Sequence, residues 1–270
     1  MGQRLVTAFV LSIAALAVLF SPSAWPMAVF AGTFGIAGFF ELRRLISFNP
    51  WIAGLVGALA VFILVGRELI ADAPVVQVSA IAVILSLVGA SSAGYFSRET
   101  SKGNFEASVF WLASPLAAAV LLHSLGAGSL AGWWVSPLFL IILPLTLGDS
   151  AAYFVGKAIG KTKLAPSISP NKTVEGAAAN AITCVLVAWA LAPVFNLHAL
   201  TAIATGLSIG IFGQLGDLLE SAVKRRVGKK DSGTILPGHG GVLDRIDSFL
   251  LASPVAFLLL ALLEPGFFNR

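Results

Sequence analysis

The chain has 270 residues, of which 57% are apolar and only 11% charged, with a mean hydropathy of +0.92. A soluble domain carries about a quarter charged residues, so these values exclude a soluble globular protein and point to one built of membrane spans. At roughly twenty apolar residues per crossing, the length accommodates about nine spans and leaves no stretch for a separate soluble domain.

The first predicted helix covers 5–21. Its LVTAFVLSIAALAVLF run, followed by SPSA, has the parts of a secretory leader, but the unbroken apolar core and the spans that follow favour a retained crossing. Further helices are predicted over 24–42, 51–71, 74–96, 105–125, 132–157, 173–195, 198–224 and 243–264, from apolar runs between polar or Gly/Pro breaks. Backbone groups in hydrocarbon must satisfy one another within a helix, and these segments do not alternate as barrel strands would. The expected fold is therefore an all-α integral membrane protein, a polytopic helical bundle of about nine transmembrane helices. Residues 1–130 would supply about five spans with few polar positions. Residues 131–270 would carry the site.

Basic residues orient the bundle. Arg4, then Arg43 and Arg44, Arg98 and Lys102, Lys157, Lys161, Lys163 and Lys172, and finally Lys224, Arg225, Arg226, Lys229, Lys230 and Arg245 fall on one side. Only Arg67 and Arg270 fall on the other. By the positive-inside rule the N-terminus and the charged loops are cytoplasmic and the C-terminus is outside. In the first 130 residues Glu41 with Arg44 reads as an ordinary helix end, and His123 as a packed or interfacial side chain. Trp25, Trp51, Trp111, Trp133 and Trp134 sit near span ends, as an interface belt would. Cys184, the single cysteine, lies in an apolar run. It excludes an internal disulfide and a Cys-based zinc site and reads as a small packed residue. No internal repeat is evident, nor the paired broken helices of an ion-coupled transporter.

From residue 148 onward polar residues gather. Asp149 and Asp217 are carboxylates in otherwise apolar helices, where charge is costly and marks a cavity or site by default; the alternative for either is an interhelical hydrogen bond. Helical spacing puts Asp149 on a face with Tyr153 and Gly156, and Asp217 with Ser221 and Lys224. GKAIGKT, from Gly156 to Thr162, imitates a Walker A loop but has one residue too few between its glycines and follows a helix, not a strand. It is not a P-loop. What remains is a loop of four lysines with a Ser-Pro-Asn-Lys-Thr turn entering the next span, where Lys172 and a helix N-terminus can receive an anion. The second loop runs from Lys224 to Gly241. Gly238, Gly240 and Gly241 permit close backbone approach and an N–H nest for phosphate oxygens. Asp244 and Asp247 follow, one turn apart, at the depth reached by Asp217. Hard oxygen donors beside basic residues suit Mg²⁺ together with phosphate.

These motifs closely resemble the phosphatidate cytidylyltransferases, the membrane CDP-diacylglycerol synthases. The family signature is matched by Ser221, Lys224-Arg225, Lys230-Asp231, Pro237, His239-Gly240-Gly241 and Asp244-Arg245-Ile246-Asp247. Upstream, Asp149 with Ala152-Tyr153 and Gly156, Ser169-Pro170-x-Lys172-Thr173-x-Glu175-Gly176, and Gly216-Asp217-x-x-Glu220-Ser221 are similar too. The likeness covers about 148–253; the first 130 residues share only their spans.

The resemblance implies CMP transfer from CTP to phosphatidate, with Mg²⁺ as cofactor and the presence of a second cation left open. It implies Asp217 and Asp244 as metal ligands, with Asp247 as a third ligand or an orienter. Lys224, Arg225 and Lys230 would hold triphosphate or lipid phosphate, Lys230 being counted with the three aspartates in the catalytic set. Lys172 and Ser169 would hold nucleotide or lipid head from the other loop. Ser221, Gly240 and Gly241 complete the substrate-binding set, and Asp149 lines the site. Arg245 would pair with a carboxylate. His239 is open between phosphate contact, structural pairing and general acid. Expected partners are CTP, phosphatidate, membrane lipid and a second copy of the chain in a homodimer, with no nucleic acid. The expected place is the cell (inner) membrane, with the site facing the cytoplasm. Rival readings are a cytidylyltransferase acting on another lipid phosphate, a cation-coupled transporter using Asp149 and Asp217, and a catalytically silent scaffold. The D-G-x-x-A-R pattern of a CDP-alcohol phosphotransferase is not found.

Overall fold

A computed structural model describes residues 2–45, 105–125, 128–130, 132–238 and 240–269. Seven α-helices occur in this set: α1 (Gly2–Leu19), α2 (Ala24–Leu45), α3 (Phe105–Leu125), α4 (Phe139–Ile159), α5 (Val174–Leu191), α6 (Ala199–Arg226) and α7 (Leu243–Leu263). Five helical segments among the described residues are long and apolar enough to cross a membrane: Ala24–Leu42, Phe139–Ile159, Val174–Phe195, Ala199–Arg226 and Leu243–Leu263. The fold is thus mostly helical, as expected. The spans predicted over 51–71 and 74–96, and with them Trp51, Arg67, Arg98 and Lys102, lie outside the described residues.

One boundary is corrected. Helix α4 begins at Phe139, not near 132, because β1 (Gly128–Leu130) and β2 (Trp133–Val135) form an antiparallel hairpin before it. Gly132 turns the hairpin at φ +84°, a conformation that glycine adopts without strain. An apolar run this short does not reveal by hydropathy whether it is strand or helix. A second hairpin, β3 (Lys163–Ala165) with β4 (Ser169–Thr173), occupies the lysine loop. Thr173 ends it and caps α5, its Oγ1 accepting from Gly176 N at 3.1 Å. The Walker-like residues Gly156 to Ile159 form the last turn of α4, consistent with their exclusion as a P-loop.

The C-terminal helices pack closely. Helix α5 lies against α4 and α6, and α7 against α6 and α3. In a lipid-facing bundle small residues permit such contact, and α6 carries them on successive turns. A Cβ on Gly206 would lie 2.6 Å from Cys184 O, one on Gly210 2.8 Å from Ala181 Cα, and one on Gly216 2.5 Å from Asp247 O. One buried cluster includes Leu140, Ile141, Cys184, Ile209 and Phe257. Cys184 is packed as expected, its Sγ donating to Pro144 O at 3.3 Å. A second cluster includes Leu42, Trp111, Val223, Leu243 and Leu250. Trp25 and Trp133 are exposed, but Trp111 is 1% exposed and so belongs to the core rather than an interface belt. His123 is also packed, its Nδ1 lying 2.8 Å from Ser136 Oγ and its Nε2 3.2 Å from Ser23 O. Outward-facing Val29, Ile36, Ile182, Leu186 and Leu200 form the apolar sheath that a membrane would cover.

Candidate active site

The end of α6 carries Asp217, Ser221 and Lys224 on one face, as their spacing predicts. Ser221 Oγ donates to Asp217 Oδ1 at 3.2 Å. The other oxygen of Asp217 meets Lys172 Nζ at 2.7 Å, so β4 and α6 are joined by an ion pair between half-buried side chains. Lys224, itself buried, bonds Asp244 Oδ1 at 2.6 Å and ion-pairs with buried Glu220 one turn back on α6. Two lysine–aspartate pairs thus stand side by side, one linking α6 to the β3–β4 hairpin and one linking it to α7.

Asp244 is the most heavily bonded of the carboxylates. Besides Lys224 it accepts from Ser232 N, at 3.0 Å to Oδ2, and from Gly241 N at 2.8 Å. The Gly241 amide expected to join a phosphate nest is therefore turned to Asp244. Gly240 has φ +81°, and a Cβ there would lie 3.0 Å from Asp244 Oδ2. The glycines accordingly let the loop wrap the carboxylate. Asp247, one turn on, accepts from Ser248 N at 2.6 Å. Asp149 on α4 accepts from Asn180 Nδ2 of α5 at 3.1 Å, so it makes the interhelical hydrogen bond left open above while still reaching the site. Asp149 and Asp247 line one cavity, while Asp217 and Asp244 are each held by a lysine. Carboxylates gathered in a low-dielectric setting repel, and the ammonium groups offset that repulsion.

A cavity of about 300 Å³ adjoins these groups. Asp149, Arg245 and Asp247 line its polar part, and Phe30, Phe34 and Leu145 its apolar part. Arg225, expected at phosphate, is exposed and donates to Ile168 O at 3.3 Å and Lys229 O at 2.9 Å, which ties the end of α6 to the turn of the hairpin. Lys230 is exposed beyond α6, and Ser169 is half-buried opposite Ala165 in β4. His239 lies outside the described residues.

Three contributors were not assigned to the site from sequence, among them Glu41, which reads there as an ordinary helix end with Arg44 but is buried against Ser232 and Leu243. Glu220 had been noted only inside the family pattern. Asn180 is 1% exposed and Glu41 0%. Each is a polar residue in an apolar helix, the signal that had already singled out Asp149 and Asp217.

A sequence model of the Cytidylyltransferase family matches residues 2–263. The chain belongs to that family. Among relatives, it is 54% identical over 120 residues to a phosphatidate cytidylyltransferase of Bacillus subtilis, covering 42% of this chain and 43% of that one. It is 48% identical over 116 residues to a protein of the same name from Staphylococcus aureus (42% and 45%). A third, from Staphylococcus haemolyticus, is 48% identical over 120 residues (44% and 46%). The match therefore spans less than half the length of these curated relatives.

Among the described residues no three His, Cys, Asp or Glu side chains converge as a ready metal cage. Mg²⁺ does not require one, since it keeps waters and binds through one or two carboxylates plus substrate oxygens. Asp217 and Asp244 fit that donor chemistry, each with an ammonium within 2.7 Å that a cation would release.

Proposed function

We propose that the chain transfers CMP from CTP to phosphatidate, producing CDP-diacylglycerol and pyrophosphate. The observation that carries the reading is the pairing of Lys172 with Asp217 and of Lys224 with Asp244, which ties α6 to β4 and to the start of α7. Membership of the cytidylyltransferase family and relatives named phosphatidate cytidylyltransferase support it.

In this reading a phosphatidate oxygen attacks the α-phosphorus of CTP, and the bond to the β-phosphate oxygen breaks in line. Both reactants are anions, and a phosphomonoester is already largely ionised near neutral pH. The protein's task is therefore positioning and charge neutralisation rather than proton abstraction. Lys172 from β4 and Lys224 from α6 hold phosphate oxygens. Arg225 holds the β3–β4 turn, and with it Lys172, against α6. Lys230 meets the outer phosphates, and Asp247 orients the groups around Asp244. Asp149 lines the approach from the apolar cavity, where the lipid enters. Asp217 and Asp244 would hold Mg²⁺, which would supply Lewis-acid neutralisation of phosphate charge.

We place the site on the cytoplasmic side of the cell (inner) membrane, in a bundle of about nine spans with a cytoplasmic N-terminus. The charge asymmetry of the loops supports this, and CTP is found there. The chain would act as a homodimer.

The test is purified protein in detergent with phosphatidate, Mg²⁺ and CTP labelled at the α-phosphate. Label should enter the lipid fraction and be lost with EDTA and in Asp244→Asn. No label from folded protein with phosphatidate would overturn the reading.

A further inference from the structure

We infer that Glu41, on α2, is a positioning residue for the loop and helix start that carry Asp244. This rests on the function proposed above. Glu41 belongs to the N-terminal part of the chain, outside every motif discussed, yet its side chain is fully buried beneath the loop between α6 and α7. Its Oε2 accepts from Ser232 Oγ at 3.0 Å and from Leu243 N at 2.9 Å. Leu243 is the first residue of α7, and Val242 before it offers no side-chain cap. Helix N-termini leave amides without partners and favour a negative group. Glu41 supplies that acceptor from 202 positions away.

Ser232 makes the link to the site. Its hydroxyl donates to Glu41 while its amide donates to both oxygens of Asp244. Asp244 in turn holds Lys224 at 2.6 Å. The path Glu41–Ser232–Asp244–Lys224 therefore crosses from α2 to the ion pair through direct contacts. The loop is shaped around the carboxylate: a Cβ on Gly233 would lie 2.5 Å from Oε1, and one on Gly241 2.5 Å from Oε2. Glu41 Oε1 has no hydrogen-bond partner among the described residues. A buried carboxylate oxygen left unsatisfied is costly, so the contacts made through Oε2 come at some expense to stability. Nearby, Lys229 Nζ donates to Arg44 O at 2.7 Å, a second strap from the loop to the end of α2.

The experiment compares Glu41→Ala, Glu41→Gln and Ser232→Ala in the full chain, reading both turnover and trypsin cleavage after Lys229 and Lys230. Removing a group that orients a ligand residue costs about 10–100-fold in activity. Glu41→Ala should lower kcat by that range while KM for CTP moves by less than about threefold. Cleavage after Lys229 and Lys230 should quicken about tenfold or more as the loop lifts from α2. Glu41→Gln keeps one acceptor oxygen and should recover most of both losses. Ser232→Ala should shift both readouts in the same direction as Glu41→Ala, by less. Wild-type kcat and wild-type cleavage in Glu41→Ala would overturn the inference. Should that variant fail to fold, unchanged kcat and cleavage in Ser232→Ala would do so. Trypsin reports the loop whatever the chemistry, so faster cleavage in an enzyme inactive on phosphatidate would refute only the proposed reaction.

Discussion

Lys224 is the group on which the charge balance of the site turns. Its side chain is 9% exposed, and it faces Glu220 at 1% and Asp244 at 11%. Lys224→Met keeps the aliphatic stem and its packing but removes the charge between two shielded carboxylates. Breaking a buried ion pair by deleting one partner costs about 3–5 kcal/mol, because the remaining charge is left uncompensated. In a protein of this size about 1 kcal/mol corresponds to roughly 2–4 °C of apparent Tm, so the variant should melt on the order of 10 °C lower. Adding Glu220→Gln removes one of the two stranded charges and should restore about half of the loss or more. Glu220→Gln alone leaves Lys224 paired with Asp244 and should change Tm by only a few degrees, about 3 °C at most. The assay is thermal unfolding of the four proteins in detergent, followed by loss of the monodisperse peak, with CMP transfer measured in parallel. If Lys224 binds phosphate as proposed, turnover should fall at least about a hundredfold in both Lys224 variants, since the second change restores charge balance and not that cation. A Lys224→Met protein as stable as wild type, or one that Glu220→Gln fails to rescue, would refute the claim that this lysine offsets both carboxylates.

Gly216→Ala tests the seating of α6 on α7. The added Cβ would meet Asp247 O at 2.5 Å; backbone cannot yield as a side-chain tip does, so we expect a loss of about 1–3 kcal/mol, read as apparent Tm, and a fall in turnover greater than that from Gly32→Ala on α2, where an added Cβ meets nothing within 4 Å. At the far end of α7, beyond the span, Glu264 accepts from His198 N at 2.9 Å and Thr201 Oγ1 at 3.1 Å, with His198 Nδ1 at 2.6 Å. Burial pushes its carboxyl upward, but the His198 and Thr201 contacts outweigh that and hold it below the ordinary glutamate range. A depressed carboxyl contributes stability above its unfolded value of about 4.3, and that contribution fades as pH falls through the folded value. The Tm difference between wild type and Glu264→Gln should be largest near neutral pH and shrink in acid; a pH-independent difference would contradict this origin.

Helices α2, α3 and α5 to α7 were legible in the sequence because hydropathy registers what lipid demands of a segment, whatever its neighbours. Ser221 and Lys224 could be placed beside Asp217 for a similar reason: four and seven residues are helical repeats, so their common face needs no tertiary information. The β1–β2 hairpin was hidden because an apolar strand and an apolar helix turn look alike over so few residues. Lys172 could be singled out as an anion contact, but its partner could not, since the pairing with Asp217 depends on how the β3–β4 hairpin folds back over α6.

The sequence by itself determined that the chain is a helical membrane protein, that polar residues gather after position 148, and that their pattern is that of a cytidylyltransferase. Those properties are carried by composition, local spacing and motif, each confined to a short stretch of chain. Only the tertiary structure decided that Lys172 answers Asp217, that Lys224 serves both Glu220 and Asp244, and that Glu41 lies beneath the loop between α6 and α7. Such contacts join residues up to 202 positions apart. Which distant carboxylate meets which donor is set by the close approach of helices at glycines such as Gly216, and by the strong tendency of buried polar groups to find partners.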